Sequence, residues 1–139
     1  MELLLLLFLF QLKHYACDYL FVTEFMLNKG VKDSWILDML CGKPKSSNDW
    51  ILPLSSHCFI HMLPTIAISY CVLKDTEVSF YLGLFDFVSH FIIDRLKASP
   101  NYGGKYSASD KKYWMCFGLD QLAHNTIYIL ILSVLFYYG

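Results

Sequence analysis

From Trp50 to Leu73 the chain reads WILPLSSHCFIHMLPTIAISYCVL, without one Lys, Arg, Asp or Glu. A helix needs about 20 mostly apolar residues to cross the hydrocarbon core of a bilayer, and this stretch has them. Three further runs resemble it. Met1 to Leu27 carries only Glu2, Lys13, Asp18 and Glu24, Val78 to Leu96 only Asp86, Asp94 and Arg95, and Tyr113 to Tyr138 only Asp120. None alternates with the period of two that a membrane barrel strand requires. The expectation is an all-α, four-helix transmembrane bundle with short loops. It forms one integral-membrane domain with spans at about 3–27, 51–73, 78–96 and 114–138.

Composition agrees. The 139 residues are 56% hydrophobic and 17% charged, against about 45–50% and about 25% in soluble domains. A soluble bundle with an apolar exterior is the weaker alternative. The 17% aromatic content and net charge of -1 exclude a disordered chain. Eleven Lys and Arg against twelve Asp and Glu leave no basic excess for nucleic acid. The acidic start and the missing small-residue cleavage site argue against a cleaved signal peptide.

Loop charge gives an orientation. Lys29, Lys32, Lys43 and Lys45 fall in the first connection, and Arg95, Lys97, Lys105, Lys111 and Lys112 in or beside the third. The positive-inside rule puts connections 28–49 and 97–112 in the cytoplasm and both termini outside. Trp35 to Leu40 has the pattern of a short interfacial helix, and 97–112 reads as a mobile linker. Tyr102-Gly103-Gly104 lacks the strand and helix of a phosphate loop. The cysteines (Cys17, Cys41, Cys58, Cys71, Cys116) form no CxxC pair and read as free thiols.

All five histidines lie inside the expected spans, where an ionisable group costs about 2.5–3.5 kcal/mol on insertion scales. Each has an Asp or another His four residues away: His14 with Asp18, His57 with His61, His90 with both Asp86 and Asp94, and His124 with Asp120. Four residues is about one helical turn, so each pair shares a face. Counted from the cytoplasmic ends at about 1.5 Å per residue, most of these groups fall in one layer. Facing helices of a bundle build metal sites from such pairs.

The expected metal ligands are His14, His57, His61, Asp86, His90, Asp94 and His124. Asp18 and Asp120 are the candidate general bases or orienting acceptors of imidazole N–H. A His and carboxylate set without paired thiolates suits Zn²⁺ with an open position, one ion or two, with Mn or Fe as alternatives. A metal-free polar network or proton path is the competing reading. Asp94, beside Arg95, could instead be interfacial. Gln11 extends the His14/Asp18 stripe, Lys13, Glu24 and Lys74 are expected to snorkel, and Pro64 to kink its helix and free the carbonyl of Ile60.

In order, His14-Tyr-Ala-Cys-Asp18-Tyr, Thr23-Glu-Phe-Met, His57-x-x-x-His61, His90-Phe-Ile-Ile-Asp94-Arg-Leu-Lys97 and Asp120-Gln-Leu-Ala-His124 resemble the domain-of-unknown-function 3307 family. Its members are small bacterial and phage integral-membrane proteins. The resemblance covers nearly the whole chain and implies a host inner-membrane location. Val22 departs from it, standing where the family's first motif has Gln. One helix, Gly83-x-x-Asp86-x-x-x-His90-x-x-x-Asp94, is also distantly similar to membrane-bound metal-dependent hydrolases and zinc-dependent phospholipase C proteins, in which such pairs hold zinc ions that activate water. That likeness implies hydrolysis of a phosphoester or other ester of a lipid or amphiphilic substrate reached from the cytoplasmic side. The alternatives are a metal-ion or proton transporter and a non-catalytic bundle stapled by metal. A homo-oligomer is compatible with each.

Overall fold

In the computed structural model, which describes residues 3–30 and 50–139, the apolar runs become helices and no strand occurs among the described residues. The helices are α1 (Leu3–Tyr15), a short α2 (Glu24–Leu27), α3 (Ile51–Leu73), α4 (Thr76–Ala98) and α5 (Lys111–Tyr138). Four helical stretches are long and apolar enough to cross a membrane, the first running over Leu3–Leu20. Trp35 to Leu40 falls outside the described residues.

The first span is shorter than its apolar run. After Tyr15 the chain widens into a π-helical segment, Ala16–Leu20, closed by Phe21 N–H donating to Ala16 O at 2.9 Å. It then breaks, and Thr23 caps α2 by accepting from Met26 N–H at 3.4 Å. A run of apolar residues has no way to announce either event, because composition reports solvent preference and not hydrogen-bond register.

α3 and α4 form a tight helical hairpin. Lys74 ends α3 in the left-handed conformation (φ 54°), and the Asp75 side chain caps α4 by accepting from Val78 N–H at 3.0 Å. A residue with a side chain at that left-handed position is uncommon. Gly83 lets the pair close further along: a Cβ there would sit 2.3 Å from Ile66 Cγ1. Small residues at such crossings are how membrane helices gain packing when lipid offers no hydrophobic drive.

Pro64 cannot donate to Ile60 O, and Cys17 takes that free carbonyl through its thiol at 3.3 Å. The π-helical segment is thereby tied to α3. The connection after α4 is structured rather than a linker: Ser99 O accepts from Tyr102 N–H at 3.0 Å and Gly104 N–H at 2.9 Å. A Cβ on Gly103 would meet Lys97 O at 2.5 Å, which explains a glycine there without any phosphate loop.

The bundle divides along its length. Around the α3–α4 turn, Leu6, Phe10, Leu82, Tyr128, Ile131, Leu132 and Leu135 make an apolar core. At the other end five His, three Asp and Lys13 are buried among a few apolar side chains such as Leu54 and Met26. Cys17 and Cys58 are buried free thiols, Cys71 is exposed and Cys116 half-buried.

Candidate metal centre

Each spanning helix delivers its histidines to the same place. The helical period puts His14 and Asp18 on one side of the first span and His57 and His61 on one side of α3. It does the same for Asp86, His90 and Asp94 on α4, and for Asp120 and His124 on α5. The imidazoles meet in the middle, with ring centroids 3.8 Å apart for His61 and His90, 3.9 Å for His90 and His124, and 4.7 Å for His57 and His61. All five are buried.

Asp18 is the hub. Its Oδ1 lies 3.2 Å from both His57 Nε2 and His61 Nε2, and its Oδ2 3.1 Å from His14 Nε2. Asp94 plays a similar part across the bundle, 3.2 Å from His57 Nε2 and 3.4 Å from His124 Nε2, while Asp120 Oδ1 lies 3.6 Å from His124 Nε2. Asp94 is buried against His57, His124 and Lys29. On α4, His90 Nδ1 stands 3.4 Å from Asp86 Oδ1.

Three carboxylates have private lysines. Lys13 reaches Asp86 at 2.5 Å, Lys29 reaches Asp94 at 2.6 Å and Lys97 reaches Asp120 at 2.7 Å. Among the described residues Asp18 has no such partner, only imidazoles. Lys13 does not snorkel. It is buried at 6% exposure and also sits 4.6 Å above the Tyr128 ring. A partly compensated carboxylate outbids the interface for an ammonium that can reach it. Gln11 is not part of the cluster either: it is exposed and donates to Asn125 Oδ1 at 2.6 Å.

Two hydroxyls that sequence spacing did not single out complete the shell. Thr65 donates to Asp86 Oδ2 at 2.6 Å, and Tyr128 Oη lies 2.6 Å from His14 Nδ1. Tyr128 follows His124 by four residues, the same one-turn spacing that marked the other pairs. Asking which hydroxyls share that period would have found it. Lys29 and Lys97 lie outside the runs and carried no such signal.

Short distances here do not mean satisfied hydrogen bonds. His14 Nε2, both nitrogens of His57, His61 Nδ1, both nitrogens of His90 and His124 Nδ1 are buried without a hydrogen-bond partner among the described residues. Buried polar atoms are otherwise nearly always paired, so this concentration requires a cause. Two of the close contacts are hydrogen bonds, His61 Nε2 with Asp18 Oδ1 at 3.2 Å and His124 Nε2 with Asp94 Oδ1 at 3.4 Å. The nitrogens left over stand close to carboxylate oxygens without aligning on them, the arrangement of atoms facing a shared point. The 3.2 Å separation from Asp18 Oδ1 to the unpartnered His57 Nε2 matches the roughly 3.3 Å ligand-to-ligand edge of a tetrahedron with metal bonds of about 2.0–2.1 Å. One ligand atom from each of Asp18, His57, His61 and His90 lies within 4.8 Å of the others. The trios His14, His90, His124 and Asp94, Asp120, His124 meet the same limit.

Fold and cluster together define a small all-helical protein whose four long apolar helices enclose a His and Asp centre. A family profile described as "Protein of unknown function (DUF3307)" matches residues 4–139, and the chain belongs to that family. No curated protein and no solved structure matches it.

Proposed function

We propose that the protein is a membrane-embedded, metal-dependent hydrolase that cleaves an ester or phosphoester of an amphiphilic substrate. The observation that carries the reading is the set of unpartnered imidazole nitrogens around Asp18. His57, His61, His90 and Asp18 form the best-supported ligand set, with His14 and His124 adjoining. Asp18 was a candidate base by sequence, but its place among three imidazoles suits a ligand. Asp86 and Asp94 were candidate ligands, and their lysines make them weaker ones. Zinc fits the donor types, with Mn or Fe as alternatives. A divalent cation held there would supply an activated water and polarise the scissile group.

The protein's own residues would do the rest. Tyr128 fixes the ring of His14, and Thr65 with Lys13 immobilises Asp86, keeping the α4 histidine in register. Asp120 stands beside His124 and is placed to accept a proton, with Lys97 holding the carboxylate. The apolar core fills the opposite half of the bundle, so the cluster does not continue through it among the described residues. This supports an enzyme over a transporter, whose polar path would have to continue across. From loop charge we infer that the cluster's end faces the cytoplasm, and from the family resemblance an inner-membrane location.

Elemental analysis of the full chain purified in detergent tests the ligand set. Tight zinc that survives dialysis is expected, and its loss in His57→Ala/His61→Ala. Release of phosphate or fatty acid from mixed lipids, abolished in His90→Ala, is expected with it. Protein free of metal overturns the reading. So does tight metal without hydrolysis, which leaves a staple, or exchangeable metal with flux into liposomes, which indicates transport.

A further inference from the structure

Beside the centre, between α4, α5 and the turn that joins them, lies a pocket of about 620 Å³. That is within the roughly 300–1,000 Å³ of small-molecule sites. Its walls are Ile93, Leu96, Leu119, Ala123 and Cys116, and Lys97 and Asp120 also line it. Asp120 is therefore shared between pocket and cluster, 3.6 Å from His124 on one side.

At the pocket's other edge is a cationic platform. Tyr106 and Lys105 line the pocket, and the ammonium groups of Lys105 and Lys112 stand 5.2 and 5.6 Å from the Tyr106 ring. Among the described residues no carboxylate pairs with either lysine. Two ammonium groups over one aromatic ring, neither in an ion pair among those residues though Asp110 lies near Lys112, stand at the edge of an apolar cavity and complement a ligand with an anionic head and a hydrocarbon tail. The pocket's position at the ends of two membrane-length helices puts it at headgroup level.

We propose that this pocket binds an anionic phospholipid, its phosphate on Lys105 and Lys112 and an acyl chain against Ile93, Leu96, Leu119 and Ala123. The lipid is the substrate class of the hydrolase proposed above, and in that respect the inference rests on that reading. The occupant follows from charge complementarity with the platform. Occupancy itself needs no metal. Asp120 and its partner Lys97 line the cavity and adjoin the centre, at the opposite edge from the phosphate platform.

The test uses the full chain in phosphatidylcholine vesicles carrying a trace of phosphatidylglycerol with a photoactivatable acyl chain. Adducts should concentrate on the pocket walls and be competed by unlabelled phosphatidylglycerol but not by added phosphatidylcholine. Ala123→Phe, which fills the cavity, should remove most of the adduct. Lys105→Gln/Lys112→Gln should lower the preference for the anionic lipid by roughly tenfold while the wall contacts remain. Labelling no denser than on Leu4 and Phe136 at the far end overturns the proposal. So does equal competition by the neutral lipid, preference for a free fatty acid, or no adduct because another copy of the chain fills the cavity. Metal content is measured on the same samples: a bundle without metal that still labels its pocket defeats only the hydrolase reading. One that holds metal but does not label defeats only the lipid site.

Discussion

The two halves of the bundle are built from the same four helices and held together by different forces. Near the α3–α4 turn, Phe10, Ile131 and Leu135 touch other apolar side chains. In lipid this gains close packing but no hydrophobic drive, because the surrounding tails are as apolar as the core. In the other half, most of the carboxylates and imidazoles are buried away from water, so the charged ones depend on their protein partners. The apolar half is replaceable in detail. The polar half is a matched set, in which removing one member strands another.

The sharpest way to break that contrast is to strand Asp86. Lys13→Met leaves a buried carboxylate unpaired and is expected to cost about 3–5 kcal/mol, read by unfolding of the detergent-solubilised protein. Adding Asp86→Leu should recover most of the loss. If the double variant is as unstable as the single one, the pair is not the unit described. In the apolar half, Ile131→Ala should cost about 1–2 kcal/mol, less than the about 2–5 kcal/mol of water-soluble cores, since lipid-like surroundings refund the transfer energy. Its metal content should not change.

Tyr128 joins the halves, with its ring in the apolar core and its hydroxyl on His14. Tyr128→Phe should cost about 0.6 kcal/mol of stability, the average for a hydrogen bond between membrane helices. If the proposed centre includes the His14, His90, His124 trio, metal affinity should fall by about tenfold or more, because His14 loses its orienting partner. Titration against a competing chelator separates the two effects.

The smallest effect lies outside the spans. Ser107 backbone N–H and hydroxyl donate to Asp110 at 2.9 and 3.0 Å and hold its carboxyl below the usual range. A depressed value means the contribution is complete above the ordinary carboxylate range and is lost as pH falls through the folded value. Asp110→Asn should therefore remove only a slight acid-side loss of stability, checked by thermal unfolding between about pH 5 and pH 3.

What the sequence made legible was whatever repeats. Trp50 to Leu73, with no charge, could hardly be anything but a crossing, and the four-residue spacing of His and Asp brought nine side chains onto inward faces. What escaped had no period. The π-helical segment after Tyr15 is a hydrogen-bond shift invisible to composition. The inward turn of Lys13 depends on Asp86, 73 residues away. The lysines that cap the cluster, Lys29 and Lys97, look in sequence like ordinary loop and helix-end cations. Gln11 failed in the opposite sense, because lying on the right stripe did not outweigh a nearer amide partner in Asn125.

The lysine pairing also sets a limit on stoichiometry. Among the described residues, Asp18, Asp86, Asp94 and Asp120 against Lys13, Lys29 and Lys97 leave one surplus negative charge when the imidazoles are neutral. A first dication would carry that balance past zero to a single positive charge. A second would raise it to three in a medium that screens poorly. For the metal centre proposed above, that balance favours one ion accompanied by a monoanion.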